Sequence, residues 1–156
     1  MPGFEALYKQ TVTVFNRKDV EGATYWFPNV IENVHLIIDR SIIISTYGEQ
    51  ASDNAKLHIR YTPNGEDAVI QTNVGAKKYM LPKAFRRDGD TDENITFAFG
   101  DDFDFIMEGA YEGDAVSDAT YRNGFFNYMN KNYDNVFAIT NVAKFNLIPH
   151  FEIVAR

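Results

Sequence analysis

Alternation of apolar and polar residues with a period of two runs through much of this chain, in stretches short enough that pleated strands, not helices, are the natural destination. Between Lys9 and Asn16, Val12 and Val14 share one face while Thr11, Thr13 and Phe15 share the other, which predicts a half-buried strand at a sheet edge. A longer run follows from Tyr25 to Ile38. There Trp26, Pro28, Val30 and Glu32 alternate with Tyr25, Phe27, Asn29 and Ile31, and Pro28, lacking an N–H, predicts a bulge or an edge position. Ile42-Ile43-Ile44 resumes extended structure, Tyr47 to Asn54 has loop composition, and Lys56 to Tyr61 places Leu57, Ile59 and Tyr61 on one face before a turn at Pro63 to Asp67. Further strands are expected at Ile95 to Phe99, Phe103 to Met107, 136–142 and 150–155.

One helix is expected, from Ala119 to about Asn132, with Ser117-Asp118 as its cap and Tyr121, Phe125 and Met129 on one stripe; Gly124 inside it would cost about 1 kcal/mol relative to Ala. With 156 residues, 45% of them hydrophobic, the chain can build one core and little more. Its 13 Phe and 9 Tyr favour half-buried pleated surfaces. The expectation is a single mainly β (α+β) domain over residues 1–156: a small β-barrel or sandwich with long loops, one packed helix near 118–132 and a short N-terminal arm of about residues 1–8.

The net charge of −7 disfavours a protein that grips nucleic acid through its phosphates, since such binding rests on Lys and Arg displacing counterions. Zero Cys removes disulfides, thiolate zinc sites and a cysteine nucleophile. No apolar run approaches the roughly 20 residues that span a bilayer, and Met1 to Glu5 lacks a signal-peptide pattern, so the expectation is a soluble protein made in a cytoplasm, with no membrane partner.

Three constellations carry potential chemistry. Asp88, Asp90 and Asp92 have the alternation of a calcium loop, but Glu93 stands where the loop needs Gly and Phe99 where it needs Glu. Asp101, Asp102, Asp104 and Glu108 lie near aromatics, as glycosidase carboxylates do, although a polar hairpin rim accounts for them equally well. His35, His58 and His150 all fall in predicted strands, and three imidazoles could meet if those strands adjoin; no His-x-His or His-Glu-x-x-His spacing supports a metal. No Gly-rich phosphate loop and no Gly-x-Ser-x-Gly elbow is present. These residues predict a non-enzyme without cofactor or metal.

The order of elements, from Lys9–Asn16 through Tyr25–Ile38 and Tyr79-Met-Leu-Pro82 to Val136–Val142 and His150–Arg156, resembles the head-tail connector (head closure or stopper) proteins of tailed bacteriophages. The resemblance implies a structural subunit of the virion neck, assembled in the host cytoplasm. In that family a β-barrel core forms a homo-oligomeric ring, often dodecameric, between the portal or adaptor protein and the tail terminator or tail tube. The ring closes the DNA-filled head, and DNA passes its channel without sequence-specific binding. A loop between two early strands reaches toward that channel; carried onto Ser45–Lys56, it makes Tyr47, Gly48, Glu49, Gln50, Ser52 and Asp53 the channel-loop candidates. Subunit-interface candidates are Phe4, Leu7, Tyr8, Val12, Val14 and Trp26, because an early strand with an open edge is a template for a neighbour. Phe85–Asn94 and Ala110–Asp118 have no counterpart in the family, which keeps a tail-terminator ring as a neighbouring reading. A carbohydrate-binding β-sandwich module is the alternative from another class, and it requires exposed aromatics forming a platform.

Overall fold

The computed structural model describes residues 8–45 and 48–156, with side chains described outside 40–53. Six strands close into an antiparallel barrel: β1 (Gln10–Val20), β2 (Ala23–Ser45), β3 (Gly48–Arg60), β8 (Phe105–Glu108), β10 (Val136–Phe145) and β11 (His150–Ala155). Their order is β1-β8-β10-β11-β3-β2, and the β1–β2 pairing closes the ring. A two-residue strand β9 (Val116–Ser117) adds to β2. A second sheet, β4 (Thr62–Asn64), β5 (Asp67–Thr72), β6 (Gly75–Tyr79) and β7 (Asn94–Ile95), contributes Ala68, Ile70 and Ile95 to the core of the barrel, and Phe97 follows just beyond β7.

Local chemistry explains the closure. Glu21 and Gly22 take φ values of 53° and 82°, the left-handed pair that a two-residue turn needs to match strand twist, and Val20 then pairs with Ala23. The β1–β2 register runs unbroken from Val20↔Ala23 to Val12↔Ile31 and slips only near Asn33, which has φ 58°. The bulge therefore sits at Asn33. Pro28, paired with Phe15, lies on a stretch of β2 that β9 and β3 leave uncovered, so its missing N–H breaks no ladder on that side, in agreement with the edge expectation.

Two aromatic-rich clusters fill the molecule. The barrel interior holds Val12, Val14, Leu57, Ile59, Phe137, Phe151 and Ile153 among others. Outside the β1–β8–β10 wall a second cluster packs Phe15, Trp26, Phe105, Phe125, Met129 and Val136. Phe15 stacks on Phe105 with ring centroids 4.6 Å apart and meets Phe125 edge-on at 5.4 Å. This outer layer is why the expectation of a half-buried edge strand fails for β1. The strand is paired by both β2 and β8, and Val12 through Asn16 are buried on both faces.

The helix that covers this cluster is shorter than the sequence suggests. A 3-10 turn at Asp118–Thr120 precedes α2 (Phe125–Asn132), and Gly124 is its N-cap, not an interior residue. Gly124 has φ 89° and ψ 154°, a region closed to side-chain-bearing residues, so the chain cannot run helically through it. Asp118 still acts as a cap at a distance: its Oδ1 accepts the Phe125 N–H at 2.9 Å and the Trp26 Nε1–H at 2.9 Å. A further helix, α1 (Pro82–Asp88), was not expected; Pro82 starts it, Phe85 is buried beneath it, and Lys18 Nζ donates to the Phe85 and Arg86 carbonyls at 2.9 and 2.8 Å. The strand expected at 95–99 stops at Ile95.

Candidate functional site

The longest projection from the barrel is a two-stranded ribbon. β11 follows β3 only as far as the Ala155↔Ala55 pair, whereas β2 and β3 continue through seven further pairs, from Asp39↔Asn54 to Ser45↔Gly48. At about 3.3 Å per residue this ribbon reaches roughly 23 Å past the wall. Among the described residues neither strand of it pairs with a third strand. Where a loop is expected from Tyr47 to Asn54, residues 48–54 are strand: Gly, Ser, Asp and Asn are poor strand formers, yet the register imposed by Lys56 to Arg60 carries the pairing outward.

A second projection is the β10–β11 turn. Tyr61 Oη lies 2.9 Å from the Phe145 carbonyl and 2.8 Å from Asn146 Oδ1, which ties the turn to the barrel. Beyond that tie Leu147 is 97% exposed and Ile148 54%. A fixed turn that shows two branched aliphatic side chains to solvent is a candidate contact surface.

A buried polar network joins β1, β2, the second sheet and the 96–104 segment. Asp104, with 0% exposure, accepts the Arg17 N–H at 2.8 Å, the Ala98 N–H at 2.9 Å and Asn16 Nδ2–H at 3.1 Å, and Arg86 Nη2 lies 3.6 Å away. Burial pushes its carboxyl up to about 7, against the pull of those donors and of Arg86. Asn16 Oδ1 in turn accepts from Asn29 Nδ2 at 3.0 Å, and Asn29 Oδ1 accepts from Lys77 Nζ at 2.7 Å. Lys77 is 4% exposed and also donates to the Thr91 carbonyl at 2.7 Å. Burial lowers its pKa, opposed by the charges of Asp92, Asp90 and Glu93.

A sequence-family model described as a family of unknown function, DUF6751, matches residues 7–156. The chain belongs to the DUF6751 family. No curated protein and no solved structure matches it.

In this DUF6751 chain the sequence-predicted residues scatter. Phe4, Leu7 and Tyr47 lie outside the described residues, and Gly48, Glu49, Gln50, Ser52 and Asp53 belong to β3, with backbone pairing alone described. Tyr8, Val12, Val14 and Trp26 are buried in the chain's own interior, so the proposed intersubunit role of these side chains is corrected: they are core. Trp26 packs edge-on against Phe105 at 4.9 Å. The Asp101–Glu108 group divides, because Asp104 is buried while Asp102 pairs with Arg17 at 2.9 Å near the surface. The acidic side chains of the 88–93 loop are exposed. Asp90 Oδ1 accepts the Asp92 N–H at 2.9 Å, Asp88 pairs with Arg87 at 2.8 Å, and the nearest buried cation is Lys77. His35, His58 and His150 do meet, on the outer face of β2, β3 and β11, with ring centroids 5.6 and 5.8 Å apart in sequence.

Sequence reasoning missed the Asn16–Asn29–Lys77–Asp104 network. Its one available signal was position: Asn16 continues the Val12, Val14 face, where a buried amide demands partners.

Proposed function

We propose that this chain is a ring-forming structural subunit of a tailed-phage neck, seated between the portal or adaptor protein and the tail, where the ring retains DNA in the filled head. The ribbon carries the reading. A closed barrel abolishes its own free edges, so subunit contacts made through backbone pairing fall to whatever projects from it. Here that is a ribbon of roughly 23 Å that pairs with no third strand among the described residues, placed between two early strands as in the connector resemblance. An isolated two-stranded hairpin is marginal in water, so a ribbon of this length gains its stability from a neighbour or from the channel lining. The exposed Leu147–Ile148 turn supplies a second, apolar contact. The net charge of −7 suits a channel that DNA slides through without adhering.

The test is co-expression with the portal and tail-tube proteins encoded in the same genome, followed by electron microscopy of the purified complexes. Rings of this chain stacked on the portal are expected, and a variant whose 41–52 segment is replaced by a short turn should fold but fail to ring. Rings that join the tail tube and ignore the portal would assign a tail terminator instead. A chain that binds neither, or whose genome encodes no portal, overturns the proposal.

A further inference from the structure

The histidine row on the barrel wall has more chemistry than three neighbouring imidazoles. The β3–β11 register sets His58 directly opposite Glu152, and His150 lies two residues before Glu152 on the same face. The β2–β3 register sets His35 opposite His58. The closest groups are His150 Nε2 and Glu152 Oε1 at 3.4 Å, with His58 Nε2 and Glu152 Oε1 at 4.0 Å. One ligand atom from each of the three residues lies within 4.8 Å of the others.

Hydrogen bonding settles which nitrogen of His150 is available. Its Nδ1 is 2.6 Å from the Ile148 carbonyl, an acceptor only, so Nδ1 carries the proton and donates it there. In the neutral ring Nε2 is then a lone pair, and it faces a carboxylate oxygen. At 3.4 Å the two atoms are joined either by a proton on Nε2 or by a cation held between them. Phe145 stacks on the His150 ring at 4.9 Å and 8°, holding its plane in that direction. A backbone carbonyl on the far nitrogen, fixing tautomer and orientation, is the arrangement that metal-bound histidines use. His58 faces the same carboxylate across the β3–β11 pair, its Nε2 4.0 Å from Glu152 Oε1.

We propose that His58, His150 and Glu152 form a zinc-class divalent-metal site on the outer face of β3 and β11. Two imidazoles and one carboxylate suit zinc and its neighbours better than calcium or magnesium, which require oxygen ligands. Bonds of about 2.0–2.1 Å at a tetrahedral centre place ligand atoms about 3.3 Å apart. The His150–Glu152 separation already matches that edge, and a side-chain rotation closes the His58–Glu152 one. All three side chains retain partial exposure, so the remaining coordination position opens to solvent and takes water or an exchangeable ligand. The site does not depend on the neck assignment, since it lies on one chain.

The experiment uses the full chain, purified without a polyhistidine tag and stripped with chelator. Zinc is titrated calorimetrically, cobalt is added as a spectroscopic probe of tetrahedral coordination, and thermal stability is followed with each metal. One equivalent of zinc per chain is expected, with a rise in melting temperature and a cobalt spectrum of tetrahedral type. His58→Gln, His150→Gln and Glu152→Gln should each weaken zinc binding by about 100-fold or more, and Asp88→Asn in the acidic loop should leave it unchanged. Circular dichroism of each apo variant confirms the barrel; should His150→Gln fail to fold, His58→Gln and Glu152→Gln decide. No zinc binding by the wild type, or binding that survives these substitutions, overturns the site.

Discussion

Asp104→Asn should change the sign of its effect with pH. In the folded chain burial pushes this carboxyl up to about 7 from its ordinary 3.8, although three N–H donors and Arg86 oppose the shift. A carboxyl whose folded pKa lies above its unfolded one loses stability as pH rises between the two, because the unfolded chain releases the proton first. Over this window, 7 minus 3.8 or 3.2 pH units, the loss is on the order of 4 kcal/mol at 1.36 kcal/mol per unit. Asparagine abolishes that slope. At pH 5, however, its amide turns an NH2 toward at least one of the donors on Arg17, Ala98 and Asn16, which costs about 1–2 kcal/mol. At pH 5 the wild type has already crossed about 1.2 units of that window, a loss of about 1.6 kcal/mol. The two proteins should therefore be near parity there, with the variant less stable than wild type at pH 4 and more stable at pH 8. Asp104→Ala, which strands all three donors, should cost about 3–5 kcal/mol at pH 5. Asp102→Asn is the control: its carboxylate is 67% exposed, and an exposed pair with Arg17 is worth less than about 1 kcal/mol at any pH. Urea unfolding of the four proteins from pH 4 to pH 8 measures all of this. A difference between wild type and Asp104→Asn that stays flat with pH, or grows as pH rises, would refute the reasoning, because the donors and Arg86 would then outweigh burial.

Gly124→Ala should destabilise the chain by about 1–3 kcal/mol in the same assay, since φ 89° strains any side-chain-bearing residue, and the new Cβ would sit 3.3 Å from the Asp118 Oδ1 that caps α2. An unchanged urea midpoint would mean that α2 starts elsewhere. In hydrogen exchange on the free subunit, the Leu57–Ile59 amides, flanked by β2 and β11 on that stretch of sheet, should exchange far more slowly than those of the ribbon beyond Ala55, and assembly should slow the ribbon selectively. Equal protection of the two in the free chain would show that the ribbon is covered within its own subunit.

Strands were legible where one face was buried and the other wet. β11 and the Lys56–Arg60 part of β3 follow their period-two pattern to within a residue, since a register slip there would turn Leu57, Ile59, Phe151 and Ile153 into solvent. β1 was legible as a strand and illegible as a location. Alternation of Val with Thr reads as core against water, but Thr13 is buried with its Oγ1 donating to the Gly109 carbonyl at 2.9 Å and accepting the Tyr111 N–H at 2.9 Å. Threonine on a covered face looks like threonine on a wet one until the covering segment, far off in sequence, is placed. The same limit hid α1 and β4 to β6, whose segments are short and draw their stability from tertiary contact more than from local pattern.

The polar residues show why composition misleads about sites. Asp102 and Asp104 are two residues apart in an acidic run, and sequence treats them alike. A strand that starts at Phe105 and an N–H-rich approach from Arg17 and Ala98 draw Asp104 inside, while Asp102 remains at the surface. The histidines went the other way. Each was an isolated residue with no metal spacing, because ligands donated from different strands leave no motif along the chain. Antiparallel pairing supplies the spacing instead, His35 to His58 to Glu152 in one cross-strand row, with His150 one step along the same face. That row could be written down from sequence once the partners of β3 were known, and it is the partners, not the residues, that a single sequence withholds.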